Sequence, residues 1–415
     1  MQNIFLKLRL VFFIWTHNIF AFLTGKLSYQ RFSYSLRKQI IISLKFKNSK
    51  YSKVGNKIFV DPFVPYFPSS YFKQVLANNS IDTFPLKPNY AQISITNYCP
   101  CNCFHCHVKN TYKKDLPKQK ILEAIRDIIE MDCPLIFFVG GEPMSRFNDL
   151  IDFIKASHEY MDTRIFTSGV GVNVDRLKKL QDAGLNGICV SIDHFKEDIH
   201  NKQRKNDEAF ESATRTIEEA SKIGFYVSAV CCTTSSMVKS GEVFKVVDFV
   251  ESLHAHSIQI NAIRPVGVAL EAGNPNLFLS KEDKDNLINY YKEQNSTNRN
   301  ISIVMPWYNE EPYNFGCTAT SGQKVYIDAQ GNVQPCELLK ASIGNINERT
   351  LKEIWTTFLP HCGHPVTECI VYPLNELIKK AKVLPLDKET TYKVWPEMCN
   401  LEATELFKRV RRKNT

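Results

Sequence analysis

The first 60 residues contain no aspartate and no glutamate, although they hold eleven lysines and arginines between Lys7 and Lys57. A second basic group, Lys408, Arg409, Arg411, Arg412 and Lys413, lies at the other end. These sixteen cations exceed the formal net charge of +9 by seven, so the 61–407 body is net acidic. With an acidic body and no recognisable binding module, nucleic acid is not an expected partner. Long apolar runs are missing too. In the most apolar stretch, residues 4–23, Lys7, Arg9, His17 and Asn18 interrupt the pattern, and the longest clean run is Leu10 to Trp15. A spanning helix uses roughly 20 nearly continuous apolar residues, so this stretch is a poor candidate for one. No small-residue cleavage pattern follows it, which argues against an export signal. Two readings stay open: a helix docked on the protein's own core, or a helix lying on an anionic membrane surface through Phe12, Phe13, Trp15, Phe20 and Phe22. Solenoid repeats and long low-complexity tracts are also absent.

What is present fits a folded protein of two or three domains: 415 residues, 44% hydrophobic and 23% charged. Thirteen cysteines, an odd number and clustered in places, argue against a secreted disulfide framework. They point to metal or redox chemistry in a reducing, cytoplasmic compartment, with the basic ends allowing a peripheral position on the inner face of a membrane.

Residues 1–60 read as a basic amphipathic extension. Residues 61–90, with Pro62, Pro65, Pro68, Pro85 and Pro88, read as an irregular connection. From there short β-branched or aromatic runs alternate with longer helix-periodic stretches. Strands are expected at 91–96, 135–139, 164–167, 187–192, 225–233 and 257–263, and helices at 118–131, 147–160, 174–183, 208–223 and 243–253. Six such units predict an α/β fold built on an incomplete (β/α)6 barrel over 91–270, with chemistry at the carboxyl ends of the strands. Residues 267–300 read as a linker. A hairpin signal at 325–328 and 333–335 places a smaller domain at 301–370, and 371–415 reads as a helical tail.

Just past the first barrel strand stands Cys99-Pro-Cys-Asn-Cys103-Phe-His-Cys106. Cys99, Cys103 and Cys106 have the spacing C-x3-C-x2-C, which lets three thiolates converge and leaves one metal position open. Soft thiolates select iron–sulfur clusters or zinc, and Cys101 as a fourth ligand would instead make a closed structural zinc site. Gly140-Gly141-Glu142-Pro143 ends the second strand. Its glycines allow close backbone approach, and Glu142 is a candidate acceptor for an ammonium group.

The triplet and the Gly-Gly-Glu-Pro segment on successive strand ends resemble the radical S-adenosylmethionine (SAM) enzymes. The resemblance implies a [4Fe–4S] cluster on Cys99, Cys103 and Cys106 whose open iron is chelated by SAM, with His105 near the adenine. It extends to Ser168 within Thr167-Ser168-Gly169, to Ser191 and Asp193, and to Arg204, all implied SAM contacts; Ser168 stands where the family has Asn. Arg264-Pro265-Val266-Gly267 ends the sixth strand as in many relatives. Downstream, Cys317, Gly331 and Cys336 resemble the opening of the SPASM or twitch auxiliary-cluster domain, followed by Gly344-Asn345-Ile346 and Ile354-Trp355. One auxiliary [4Fe–4S] cluster is implied, on Cys317 and Cys336 with Cys362 and Cys369 as further candidates. The full C-x2-C-x5-C-x3-C run is absent, and Cys399 is another downstream candidate. Cys133, Cys189, Cys231 and Cys232 read as small buried hydrophobes. The implied activity is reductive SAM cleavage and hydrogen abstraction from a peptide, small molecule or lipid, with flavodoxin or ferredoxin as electron donor. The competing reading is a non-catalytic zinc or iron–sulfur protein.

Overall fold

The computed structural model of the protein describes residues 2–25, 28–29, 32–33, 35–36, 48–79, 87–108, 114–381 and 383–411. Six of the amino-terminal cations (Lys26, Arg31, Arg37, Lys38, Lys45 and Lys47) and the terminal Arg412 and Lys413 lie outside the described residues. Helix α1 spans Gln2–Leu23. A small antiparallel pair follows, β1 (Ser52–Val54) with β2 (Lys57–Phe59).

The main sheet starts with β3 (Tyr90–Ser94), β4 (Leu135–Val139), β5 (Asp162–Thr167), β6 (Gly187–Ser191), β7 (Tyr226–Thr233) and β8 (Ser257–Ala262), which pair in parallel in chain order. Strands buried on both faces tolerate continuous apolar runs, as in Leu-Ile-Phe-Phe of β4. The covering helices carry their apolar residues at helical spacing. In Lys118–Glu130, residues Ile121, Ala124, Ile125 and Ile128 are buried, a three-and-four spacing that lays one stripe on the sheet. The expected α/β partial barrel is present.

The residues read as a linker are structured. Ser280 and Asp283 form a reciprocal capping box that starts the helix Lys281–Ser296, and β9 (Ser302–Val304) then adds in parallel to β8. The hairpin is formed by β10 (Lys324–Ile327) and β11 (Asn332–Gln334), with β12 (Gly344–Asn345) beyond it. Its first strand pairs in parallel with β3, so a single ten-stranded sheet runs from β12 through the barrel to β9. Periodicity could not show this, because the partner strands are far apart in sequence.

The Pro-rich connection is held at the amino end of β5. Arg164 is fully buried there, pairing with Asp162 at 2.7 Å and donating to the carbonyls of Pro62 and Val64. Its guanidinium lies over the rings of Phe59 and Tyr226, which stack on each other at 4.0 Å. A buried charge is tolerated only when paired and hydrogen-bonded, and this one ties the connection to the barrel.

Candidate active site

Where β3 ends, the Asp115 carboxylate accepts from Thr96 Oγ1 at 2.6 Å and from the Asn97 amide at 2.9 Å. The irregular loop beyond carries Cys99, Cys101, Cys103, His105 and Cys106 along one wall of a cavity of about 580 Å3. Bonds from distant segments set its shape. The Asn102 amide donates to the Arg204 carbonyl at 2.8 Å, Asn206 Nδ2 to the Pro100 carbonyl at 3.1 Å, and the Val268 amide to the Cys106 carbonyl at 3.1 Å. Gly267, with φ +52°, is required there, since an added Cβ would collide with the Cys106 carbonyl oxygen. Arg264-Pro265-Val266-Gly267 thus clamps the cysteine loop.

Gly140 and Gly141 line the same cavity. Sequence reading gave them room for a ligand; in the structure the chain's own backbone also uses that room. The Gly141 amide donates to the Thr96 carbonyl and the Glu142 amide to the Tyr98 carbonyl, both at 2.7 Å. A Cβ on Gly140, φ +143°, would collide with Thr96.

Glu142 differs more from its expected part. Its buried carboxylate accepts from Thr167 Oγ1 at 2.7 Å, the Ser168 amide at 2.7 Å, Ser168 Oγ at 2.6 Å and the Met144 amide at 3.1 Å. It does not line the cavity, and neither does Pro143, which opens the short turn Pro143–Arg146. With four protein donors on its oxygens, Glu142 is a brace between the ends of β4 and β5. Burial pushes the Glu142 pKa above the ordinary glutamate value, against the lowering effect of the four donors.

His105, Ser168, Ser191 and Arg204 line the cavity, whereas Asp193 lies fully buried beside them. Its Oδ2 contacts Arg204 Nη2 at 2.7 Å and His105 Nε2 at 3.1 Å, and its Oδ1 accepts from the Cys232 amide at 2.9 Å. Burial alone would raise the Asp193 carboxyl, but Arg204 and His105 hold it well below the usual carboxylate range. For His105 burial opposes charge, yet Cys232 and Asp193 outweigh it and hold the ring above the ordinary histidine value. Arg204 also reaches Cys103 Sγ at 3.6 Å. It is the last residue of a helix, Glu197–Arg204, that sequence reading did not assign.

Cys133, Cys189 and Cys231 are buried as expected, but Cys232 is half-buried and lines the cavity. Its thiol, His105 and Asp193 have their donor atoms within 4.8 Å of one another. Sequence reading missed this because strand alternation turns Cys231 and Cys232 to opposite faces of β7.

All thirteen cysteines are free. The Cys101 thiol is within hydrogen-bonding reach of both Cys99 and Cys103. The four downstream cysteines singled out divide into two places. Cys317 and Cys369 share a hydrogen bond that lowers the Cys369 pKa to about 7. Cys336 is buried beside Glu337 and Lys324, and Lys324 and Glu310 lie near both Cys317 and Cys336. Cys362 is elsewhere: its neighbour is Cys399, whose thiol donates to the His361 carbonyl at 3.1 Å. An ionic chain links the first group to the cavity. Arg264 contacts Glu310 at 3.6 Å, Glu310 contacts Lys324 at 3.6 Å, and Lys324 contacts Glu337 at 3.7 Å; Arg264, Glu310 and Glu337 line the cavity. Glu310, within the 301–370 domain, carried no local motif that could have revealed it.

The donor set fits the implied clusters: soft thiols line an open cavity, and Cys317, Cys336 and Cys369 lie near Glu310, which lines the same cavity. The model of the Radical SAM superfamily matches residues 93–253, and that of SPASM, an iron–sulfur cluster-binding domain, matches residues 317–358. The AdoMet-dependent heme synthase of Oleidesulfovibrio alaskensis is 26% identical over 63% of this chain and 72% of its own. The GTP 3',8-cyclase of Aliarcobacter butzleri is 25% identical over 62% of this chain and 82% of its own. Among solved structures, Streptococcus suis SuiB bound to S-adenosylmethionine has a TM-score of 0.53 at 14% identity, covering 69% of this chain and 68% of that one. Native anSMEcpe with bound AdoMet has a TM-score of 0.52 at 19% identity, covering 74% and 96%.

Proposed function

We propose that this chain, which belongs to the radical SAM superfamily and carries a SPASM domain, cleaves SAM reductively and abstracts hydrogen from a substrate held in the cavity between its two cysteine groups. As a member of an enzyme superfamily it is an enzyme, which sets aside the inert-metal alternative. The observation that carries the reading is convergence: the triplet, Gly140-Gly141, Ser168, Ser191 and Arg204 face one cavity, and that cavity continues to Arg264, Glu310 and Glu337 beside the auxiliary cysteines.

A [4Fe–4S] cluster held by Cys99, Cys103 and Cys106 would supply the single electron that reductive cleavage of SAM needs. The chain's part is holding and orienting. Cys99, Cys103 and Cys106 hold the cluster, and the Gly140-Gly141 backbone and the Ser168 hydroxyl face the methionine portion of SAM. Ser191 and Arg204 bind its polar groups, and His105, fixed by Asp193, lies against the adenine. Cys317, Cys336 and Cys369 hold the auxiliary cluster. The electron donor is a flavodoxin or ferredoxin.

Two substrate classes have support. SuiB in complex with precursor peptide SuiA and anSMEcpe with a bound peptide share this fold, which favours peptide maturation. The relatives by sequence are named as a heme synthase and a GTP cyclase, which favours a small molecule. Anaerobic reconstitution, dithionite and SAM test the common step: an intact cluster that forms no 5′-deoxyadenosine would sink the reading. Adding peptide and lipid fractions of a cell lysate separately, and measuring which one raises deoxyadenosine, selects the substrate class.

A further inference from the structure

Helix α1 is apolar nearly all the way round. Leu6, Leu10 and Ala21 are buried, and with the half-buried Phe13 the first two pack on a satellite core of Ile58, Phe67, Phe72 and Leu76. The buried Asn18 accepts from Ser35 Oγ at 3.0 Å and donates to the Ile14 carbonyl at 2.9 Å. The opposite face carries Ile4, Phe5, Leu8, Phe12, Trp15 and Leu23, all exposed, Phe12 to 72% and Leu23 to 74%. Their spacing of three, four and eight residues makes one stripe along a helix segment of 20 residues, about 30 Å long. A contiguous apolar face of that length on the surface marks an interaction site.

Charge identifies what covers it. The first 60 residues carry eleven cations and no anion. Two copies meeting along this face would set like charge against like charge, whereas an anionic bilayer supplies the opposite sign together with an apolar interior. A spanning arrangement would strip Leu6 and Leu10 from Ile58 and Phe67 and carry Lys7, Arg9 and Asn18 into hydrocarbon. We propose that the outer face of α1 docks the protein on an anionic lipid surface, with the helix lying in the interface and its inner face staying on the fold.

Trp15 gives a direct readout, being the one exposed tryptophan of four; Trp307, Trp355 and Trp395 are buried. The full chain, reconstituted, is incubated at low salt with vesicles of phosphatidylcholine, with and without phosphatidylglycerol. The expected result is co-sedimentation with the anionic vesicles only, weakened by added salt, with Trp15 shielded from iodide. The double variant Phe12→Ser/Trp15→Ser, altered at exposed positions, keeps its iron content and melting temperature and loses at least about tenfold in vesicle affinity. The proposal is overturned if the wild type does not sediment with anionic vesicles, if the folded double variant sediments equally, or if neutral vesicles serve as well. A concentration-dependent dimer without vesicle binding, or resistance of the cell-membrane-bound protein to alkaline carbonate, likewise overturns it, in favour of a second copy and a spanning helix respectively. None of these readouts uses SAM cleavage, so the docking surface and the catalytic reading fail separately.

Discussion

Ser168 donates twice to the Glu142 carboxylate, from its amide at 2.7 Å and from its hydroxyl at 2.6 Å, locking the ends of β4 and β5 together beside the cavity. Substituting Glu142→Gln keeps the shape but replaces one acceptor oxygen with a donor facing donors. The expected loss of stability is about 1.5–3 kcal/mol, since hydrogen bonds to a buried charge are worth that much. SAM binding should weaken with it, because Gly140-Gly141 and Ser168 lose their common brace. Thermal melting and equilibrium SAM binding check this, and an unchanged melting temperature would remove the brace.

Cys101 is near Cys99 and Cys103 but falls outside the C-x3-C-x2-C spacing. Cys103→Ser is expected to abolish SAM cleavage, while Cys101→Ser retains it and the iron with it. Loss of metal in both variants, with zinc in the wild type, would favour a closed four-thiolate site.

Cys317 and Cys369 share a hydrogen bond, Cys336 shares Lys324 and Glu310 with Cys317, and Cys362 lies beside Cys399, so the proposed auxiliary ligands are Cys317, Cys336 and Cys369. Substituting Cys369→Ala should therefore lower iron by one cluster's worth, as should Cys317→Ala, with SAM cleavage persisting but uncoupled from product. Cys362→Ala should leave iron unchanged. Iron and sulfide analysis with Mössbauer spectroscopy separates these outcomes.

In the metal-free protein the Cys317 hydrogen bond lowers the Cys369 pKa to about 7, below the ordinary thiol value. The thiolate is the reactive form, so alkylation of Cys369 should rise as pH passes about 7, and in Cys317→Ala that midpoint should move upward. Peptide mapping after iodoacetamide treatment over a pH series reads it; a midpoint unmoved by the substitution would remove Cys317 as the cause.

Arg204→Met would leave the buried Asp193 with His105 as its remaining charged partner. Breaking a buried pair from one side costs about 3–5 kcal/mol, and Asp193→Asn in the same chain should recover part of it. Chemical denaturation of the wild type and the two variants checks this.

The sequence by itself determined what is local. C-x3-C-x2-C is legible because a loop that short brings its thiols together whatever surrounds it, and the alternation of short apolar runs with helical patterns is legible because each strand buries both faces and each helix one stripe of its own residues. The same locality limits what a motif shows. The four protein donors on the Glu142 carboxylate, from Thr167, Ser168 and the turn after β4, do not appear in its own motif. Cys362 and Cys369 looked equivalent until the fold put one beside Cys399 and the other beside Cys317. The α1 pattern did not say which of its apolar faces meets the protein's own core. Tertiary structure decided those points, because a carboxylate, a thiol or an apolar face takes its role from whatever the rest of the chain brings within a few ångströms of it.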